Sequence, residues 1–434
     1  MTNLDIKKIK KIHFIGIGGI GVSAIARMFL ARGVKVSGSD ISESKIIKEL
    51  EKKGAKVFYR HNPDNLANDT DLVIYTIAID KDNQEFAKAK ELGIEMKTYS
   101  QMLGIISEGH YIVAVSGTHG KTTTTAMIAK VAVDTGLDPT VIVGGLIKDS
   151  GSNLIVGSSN LFIVEACEYK KSFLDLDPNI LVITNIEEDH LDYYKNLNHI
   201  QNAFKELVRK LSKSDFVVCD PNDKNIKPVI KNAKPKIIDY TKLRGEVSKL
   251  RLKVEGEHNK QNAKTAFTVS KILKIKKEKA FKSLSEFEGV CRRFEYKGKT
   301  KERAEVYDDY AHHPTEIRAA LRVARDKFHN RKIITIFQPH LYSRTKFLLD
   351  DFAKSFKDTD EVIIAPIYSA REKKDKSINN KILANEINKN SKNSQAFGGF
   401  AEIKRYLKDN IKKDDIILTM GAGDIYKIGE DIIK

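Results

Sequence analysis

The segment Gly117-Thr118-His119-Gly120-Lys121-Thr122 follows an apolar run, YIVAVS (111–116), and leads into Thr123, Thr124 and Thr125. Two glycines permit a loop lined with main-chain N–H groups, a lysine reaches outer phosphates, and a threonine hydroxyl can coordinate a divalent cation. The match departs from the GxxxxGK[ST] form, because Val115 stands where its first glycine belongs. A strand, a phosphate-cradling loop and a helix in that order still point to ATP. A metal-bound triphosphate also needs oxygen or imidazole ligands from neighbouring strand ends. Glu165 closes the apolar run LFIVEA, and His190 follows the run ILVITNI in the pair Asp189-His190. Thr122, Glu165 and His190 are the candidate metal ligands, with Glu168 as an alternative; Lys121, Glu165 and His190 are the catalytic candidates. Oxygen-rich ligation beside phosphates favours Mg²⁺ or Mn²⁺. Cys167, between the two glutamates, reads as buried packing rather than as a nucleophile.

A second phosphate signature lies near the amino terminus. Gly16-Ile17-Gly18-Gly19-Ile20-Gly21 follows the run IHFI and opens a helical stretch, with Asp40 at the end of the next strand-like run. This GxGxxG spacing suits the diphosphate of a nucleotide, and a dinucleotide such as NAD remains a rival occupant. Polar clusters elsewhere follow strands or sit in loops: Glu257-His258-Asn259 with Asn262, Arg292-Arg293, Tyr307 to Pro314, Gln338 to Arg344, and Gly421 to Asp424. His340 and Arg344 suit a carboxylate or phosphate clamp. Adjacent His312 and His313 point different ways on most backbones and no HExxH spacing is present, which argues against zinc.

These groups need rigid elements to hold them. Apolar runs alternate with helix-length charged stretches along all 434 residues: 12–18, 34–40 and 71–78, then 111–117, 161–166, 180–186 and 215–220, then 331–340, 360–368 and 414–424. That alternation is the mark of α/β folds with parallel sheets. The expected architecture is three α/β domains in series: Rossmann-like over 1–107, a central P-loop ATP-binding domain over 108–291, and Rossmann-like again over 292–434. The net charge of +17 comes from 75 basic minus 58 acidic side chains. Lysines are spread along the chain without interleaved aromatics, which fits anionic small molecules and not nucleic acid. No 18-residue apolar run is present, so no membrane span is expected. KKIKK (7–11) before IHFIGIGGIG mimics a secretory leader, but the four glycines and the strand-like run that follows argue against that reading. Three scattered cysteines fit a reducing, cytoplasmic setting.

Ten segments in order, HFIGIGGIGVSAIA, SGTHGKTTTTAM, EACEYKKSFL, TNIEEDHLDYY, HNKQNA, CRRFEYKG, DDYAHHPTEI, FQPHLYSRT, APIYSAREK and LTMGAGDIY, resemble the Mur ligases from residue 13 to 426. Within that family they resemble the member that adds alanine to UDP-N-acetylmuramate. The resemblance implies ATP-dependent ligation of L-alanine to that sugar's carboxylate through an acyl phosphate, with ADP and phosphate released. By the same likeness Gly117, Thr118, His119, Gly120, Lys121, Thr122 and Thr123 would hold the outer phosphates. Thr122 and Glu165 would hold one Mg²⁺ and His190 a second, and Asn259 and Asn262 would flank the adenine. Arg293 and Asp309 would reach ATP from the third domain. Gly18, Gly19, Asp40 and His61 would hold the UDP portion, with His313 in the substrate set. His340 and Arg344 would receive alanine, Leu341 standing where many members have arginine. The partners are then small molecules, with a monomer or weak dimer expected. Rivals are a peptide-adding relative, an NAD-dependent oxidoreductase and a P-loop module without catalysis.

Overall fold

A computed structural model describes residues 4–41, 43–79, 82–243, 250–391 and 393–433. Residues 1–3 and 434, the outer ends of the expected first and third domains, lie outside the described residues. The chain packs as two compact units. The first is Met1–Glu187 with Asn198–Lys253 and Gln261–Glu288; the second is Gly289–Lys434 with Glu188–Leu197 and Val254–Lys260.

Three sheets give three α/β domains, two of them in the first unit. The first sheet contains β1 (Lys11–Ile15), β2 (Lys35–Ser39), β3 (Lys56–Phe58), β4 (Leu72–Tyr75) and β5 (Glu95–Thr98). Their order is β3-β2-β1-β4-β5, every pair parallel. Ile12, Phe14 and Ile15 on β1 are fully buried, as a central strand covered by helices on both faces requires.

The second sheet contains β6 (Tyr111–Ser116), β7 (Thr140–Ile147), β8 (Ser152–Ile155), β9 (Leu161–Glu165), β10 (Ile180–Ile183), β11 (Phe216–Cys219) and β12 (Lys236–Asp239). The order is β12-β11-β10-β6-β9-β7-β8. Strand β6, which feeds the phosphate loop, is therefore flanked by β9, ending at Glu165, and by β10. Only the β7–β8 pair is antiparallel, so the expected parallel sheet carries one reversed edge. Within this unit, Arg27 of the helix Ile20–Ala31 donates to Asn153 of β8 and to Glu49, fastening the first sheet's leading helix to the second sheet's edge.

The second unit's sheet contains β13 (Glu295–Lys299), β14 (Glu305–Asp309), β15 (Ile333–Phe337), β16 (Glu361–Ile364), β17 (Ser394–Ala396) and β18 (Ile416–Met420), in the order β13-β14-β18-β15-β16-β17. All pairs are parallel except β13–β14. Its two faces bury separate apolar clusters, one around Phe337, Phe352 and Phe356 and the other around Ile334, Ile336 and Ile417. Among the described residues, no helix is long and apolar enough to cross a membrane.

Candidate active site

The phosphate loop takes the shape its glycines require. Gly117 has φ +129°, and a Cβ there would collide with the Thr184 hydroxyl and sit 2.9 Å from the Asn185 carbonyl oxygen. Gly120 has φ +79° and caps the helix Lys121–Asp134; its missing side chain makes room for Asn262. The segment after β10 staples the loop in place. The N–H of Thr118 donates to the Asn185 carbonyl (3.1 Å), the N–H of His119 to Asn185 Oδ1 (2.9 Å), and the Thr184 hydroxyl to the His119 carbonyl (2.6 Å). Gly117→Ala should therefore raise the dissociation constant for a non-hydrolysable ATP analogue about tenfold or more, since such backbone strain costs roughly 1–3 kcal/mol. Titration calorimetry checks this, and unchanged affinity would contradict it.

Lys121, Thr122 and Glu165 meet at the mouth of this loop. The Thr122 hydroxyl donates to Glu165 Oε1 at 3.0 Å, while Glu165 Oε2 accepts the Gly144 N–H at 2.7 Å. Lys121 Nζ lies 3.0 Å from Glu168 Oε1 and also donates to the carbonyls of Gly117 and Thr118. Burial works against the ammonium, but the charge and hydrogen bond of Glu168, together with Cys167 and Glu165 nearby, more than offset it and hold Lys121 above the usual lysine range. Thr123 is buried beside them in the first helical turn.

Sequence reasoning missed the pairing of Glu168 with Lys121, whose counter-ion it is. Its burial could be read only from packing. Cys167 is an exposed residue, which corrects its reading as buried packing, although desolvation pushes its thiol pKa up to about 12. Asn262 lies on the helix Glu257–Ile272, and its Oδ1 accepts from the Thr124 hydroxyl (3.1 Å). That contact ties it to the helix that follows the phosphate loop. Asn259, on the same helix, donates to the Glu255 carbonyl at 2.7 Å.

The first unit holds a second cluster. Gly18 donates its N–H to Asp40 Oδ2 at 2.9 Å, and the N–H groups of Gly16 and Ile17 donate to the Ser39 carbonyl. Gly19 caps the helix Ile20–Ala31 without a side chain, leaving the first amides of that helix available to an anion. His61 Nδ1 lies 2.8 Å from the Ser39 hydroxyl. Behind it Glu85 is fully buried. Burial alone would raise its pKa, but donors from His13, Ser39 and Asn65 outweigh that and draw it down to about 2.

The remaining expected residues belong to the second unit. His190 sits at φ +53°, an uncommon conformation for a side-chain-bearing residue. A turn stabilises it there: its carbonyl accepts from the N–H groups of Tyr193 and Tyr194, both at 2.8 Å, and its own N–H donates to Asp189 Oδ1 at 2.7 Å. The same Asp189 oxygen accepts two N–H groups of Arg344, at 2.8 and 3.1 Å. Burial would favour neutral Asp189, yet the Arg344 guanidinium and the nearby imidazoles hold it well below the carboxylate range. Arg344 also donates to His340 Nδ1 at 3.1 Å. Because guanidinium has no acceptor, His340 must be the tautomer protonated on Nε2. The clamp read from His340 and Arg344 is thus already braced by an internal carboxylate, and with Nη1 directed at both Nδ1 and the carbonyl of His340, the second hydrogen of Nη2 is left for a ligand.

His312 and His313 do diverge. His313 is 5% exposed and caps the helix Pro314–Lys327 through Nδ1, while Nε2 lies 3.1 Å from the Glu188 carbonyl. Both ring nitrogens have partners in the second unit, and His313 serves as a helix cap there. Asp309 uses its carboxylate on the N–H groups of Phe294 (2.8 Å) and Ala311 (2.7 Å), and burial pushes its pKa up to about 6 against the pull of Arg293. Arg293 lies over the Tyr310 ring, 5.2 Å from its centroid. The structure brings Arg293 and Asp309 together around Tyr310.

His312 donates through Nδ1 to the Tyr310 carbonyl (3.0 Å) and stands 3.3 Å from Glu316, with burial drawing its pKa down to about 4. The folded-state pKa is below the unfolded value of about 6.5. Neutral His312 therefore contributes stability that is present above about pH 6.5 and lost as pH falls through about 4. Urea midpoints at pH 7 and 5 should differ accordingly, by at most about 1.4 kcal/mol per pH unit from this group, and His312→Gln should flatten the dependence. An identical dependence in the variant would contradict it.

Comparison with known proteins agrees with this organisation. The Mur ligase family catalytic domain matches residues 11–111, the Mur ligase middle domain 115–282, and the Mur ligase glutamate ligase domain 292–423. This chain belongs to the Mur ligase family. Among Mur ligases, it is 44% identical to the UDP-N-acetylmuramate–L-alanine ligase of Acetivibrio thermocellus, covering 100% of this chain and 98% of the relative. The enzyme of the same name from Clostridium tetani is 42% identical, with 99% of each covered. The crystal structure of the UDP-N-acetylmuramate–alanine ligase from Thermotoga maritima superposes with a TM-score of 0.81 at 30% identity, over 98% of both chains. A murein peptide ligase from Psychrobacter arcticus shares the Mur ligase fold at a TM-score of 0.74 and 21% identity, with 98% of both covered.

Proposed function

We propose that this Mur ligase joins L-alanine to the lactyl carboxylate of UDP-N-acetylmuramic acid, converting ATP to ADP and phosphate in the synthesis of peptidoglycan precursors. The observation that carries the reading is the meeting of Lys121, Thr122 and Glu165 at the ends of adjacent strands β6 and β9. The end-to-end likeness to two alanine ligases selects the amino acid. We place the domain boundaries near 107/108 and 291/292, and the enzyme in the cytosol as a monomer or weak dimer without nucleic-acid partners.

A carboxylate is a poor electrophile, so one of its oxygens first attacks the γ-phosphorus and ADP leaves. The amine of alanine then attacks the acyl carbon, and the tetrahedral intermediate collapses by breaking the carbon–oxygen bond to phosphate. Positioning and charge neutralisation supply most of the rate in such transfers. Amides of residues 117–123 cradle the phosphates. Lys121 leaves Glu168 to meet the β- and γ-oxygens. The Gly18–Gly19 amides, Asp40 and His61 hold the UDP portion. The second unit contributes His190, Arg293, Asp309, His340 and Arg344, with Arg344 and His340 receiving the alanine carboxylate.

The donor set fits Mg²⁺, or Mn²⁺ in its place. Two oxygens 3.0 Å apart, on Thr122 and Glu165, have the spacing of neighbouring ligands on an octahedral ion with bonds of about 2.1 Å. Thr122 and Glu165 would hold one such ion and His190 would contribute to a second. Bound there, the ions would neutralise charge on the γ-phosphate and the substrate carboxylate.

Phosphate release measured with each substrate omitted in turn should require ATP, the sugar nucleotide and L-alanine together. Glycine, L-serine and a tripeptide should support it less well than L-alanine. Strong preference for the tripeptide would replace this reading with a peptide-adding ligase, and tight NADH binding without sugar-nucleotide binding would replace it with an oxidoreductase.

A further inference from the structure

Ser39 faces two ways in the first sheet. Its main-chain carbonyl receives the Gly16 and Ile17 N–H groups at 2.8 and 3.0 Å, and its hydroxyl stands between His61 Nδ1 and Glu85 Oε2. Glu85 has no exposed surface. The groups around its carboxylate are donors: the Asn62 N–H and Asn65 Nδ2 on Oε1, and the Ser39 hydroxyl on Oε2, with the His13 ring 3.6 Å and His61 Nδ1 3.4 Å from Oε2.

The direction of the hydrogen bonds follows. An ionised carboxylate can only accept, so the Ser39 hydroxyl proton is committed to Glu85. The Ser39 oxygen can then only accept from His61, which places the imidazole proton on Nδ1. The neutral form of the imidazole then carries its lone pair on Nε2, on a ring that is one-fifth exposed. A phosphate offers only acceptors, so such a nitrogen cannot hold one. It suits a hydrogen-bond donor on the nucleoside, either a ribose hydroxyl or the uracil imide N–H.

We propose that Glu85 and Ser39 are positioning residues that set the tautomer of His61 and make it a reader of the nucleoside end of the sugar nucleotide. The proposal rests on the UDP-binding reading of this cluster. It predicts an inversion in Glu85→Gln. The Asn62 main-chain N–H cannot become an acceptor, so the glutamine oxygen must face it and the glutamine NH₂ must face Ser39. The Ser39 hydroxyl then reverses and donates to His61 Nδ1, moving the imidazole proton to Nε2.

The test uses UDP as probe, with nitrogen NMR of ¹⁵N-histidine-labelled protein and calorimetry. Wild type should show the Nδ1–H tautomer. Glu85→Gln should show Nε2–H, bind UDP at least about tenfold more weakly, and raise the KM for the sugar nucleotide with kcat unchanged. Ser39→Ala, which keeps Glu85, should weaken UDP to a similar degree, and both variants should bind the ATP analogue as wild type does. Of 2′-deoxy-UDP, 3′-deoxy-UDP and 3-methyl-UDP, the one lacking the donor should bind wild type and Glu85→Gln alike. Absence of UDP binding to wild type would overturn the substrate reading itself. UDP binding with equal affinity in wild type and Glu85→Gln, or a wild-type advantage kept by all three analogues, would overturn only the proposal.

Discussion

Lys121→Ala should abolish alanine-dependent phosphate release, lowering kcat by about a thousandfold or more. Groups that neutralise charge on a transferring phosphoryl act in a partly dry site, where one such contact is worth on the order of 3–4 kcal/mol. The lysine side chain is 13% exposed and its partner Glu168 only 3%. Removing the ammonium alone also strands a buried carboxylate, at a cost to stability of about 3–5 kcal/mol. Two losses would then be confounded, so the decisive protein is the double variant Lys121→Met with Glu168→Gln. It should recover most of the melting temperature and none of the activity. Recovery of turnover along with stability would show that Lys121 serves only to neutralise Glu168.

Arg344→Ala should have the second large effect. Arg344 and Asp189 have side chains 6% and 9% exposed, and the guanidinium reaches both His340 and the carboxylate beside His190. Truncation should cost about 3–5 kcal/mol in urea unfolding, because Asp189 is left charged and buried. It should also raise the KM for L-alanine by about a hundredfold, with the KM for ATP nearly unchanged. Arg344→Lys separates the two effects. A point charge keeps part of the pairing with Asp189 but loses the forked geometry, so stability should largely return while the alanine KM stays at least about tenfold high. A lysine variant with wild-type alanine kinetics would reduce Arg344 to a brace for Asp189.

Some of this was legible from residue types and some was not. The phosphate loop could be read because a positive φ at Gly117 and Gly120 leaves a signature in residue choice, and because Lys121 and Thr122 must follow at fixed spacing. Glu165 could be read because parallel strands end where ligands bind. The neighbouring Glu168 could not, since only packing decides which of two glutamates turns inward to the lysine. Nor does residue type reveal that segments 188–197 and 254–260 join the second compact unit, or that Leu341 adopts φ +71° while almost fully buried. The short edge strands β5, β13 and β17 escaped because their residues, EMKT, EYKGK and SQA, are largely polar, and β3 because it is only three residues long. Asp189 was named beside His190 but given no role, although an acidic neighbour of a candidate ligand is a signal that could have been weighed.

The chemistry can be tested at a single atom. UDP-N-acetylmuramic acid carrying ¹⁸O in its lactyl carboxylate, turned over with ATP and L-alanine, should transfer one labelled oxygen to the phosphate released. Mass spectrometry of that phosphate should show the label in step with alanine ligated. Unlabelled phosphate from productive turnover would mean that the carboxylate never attacks the γ-phosphorus, and would contradict ligation through an acyl phosphate.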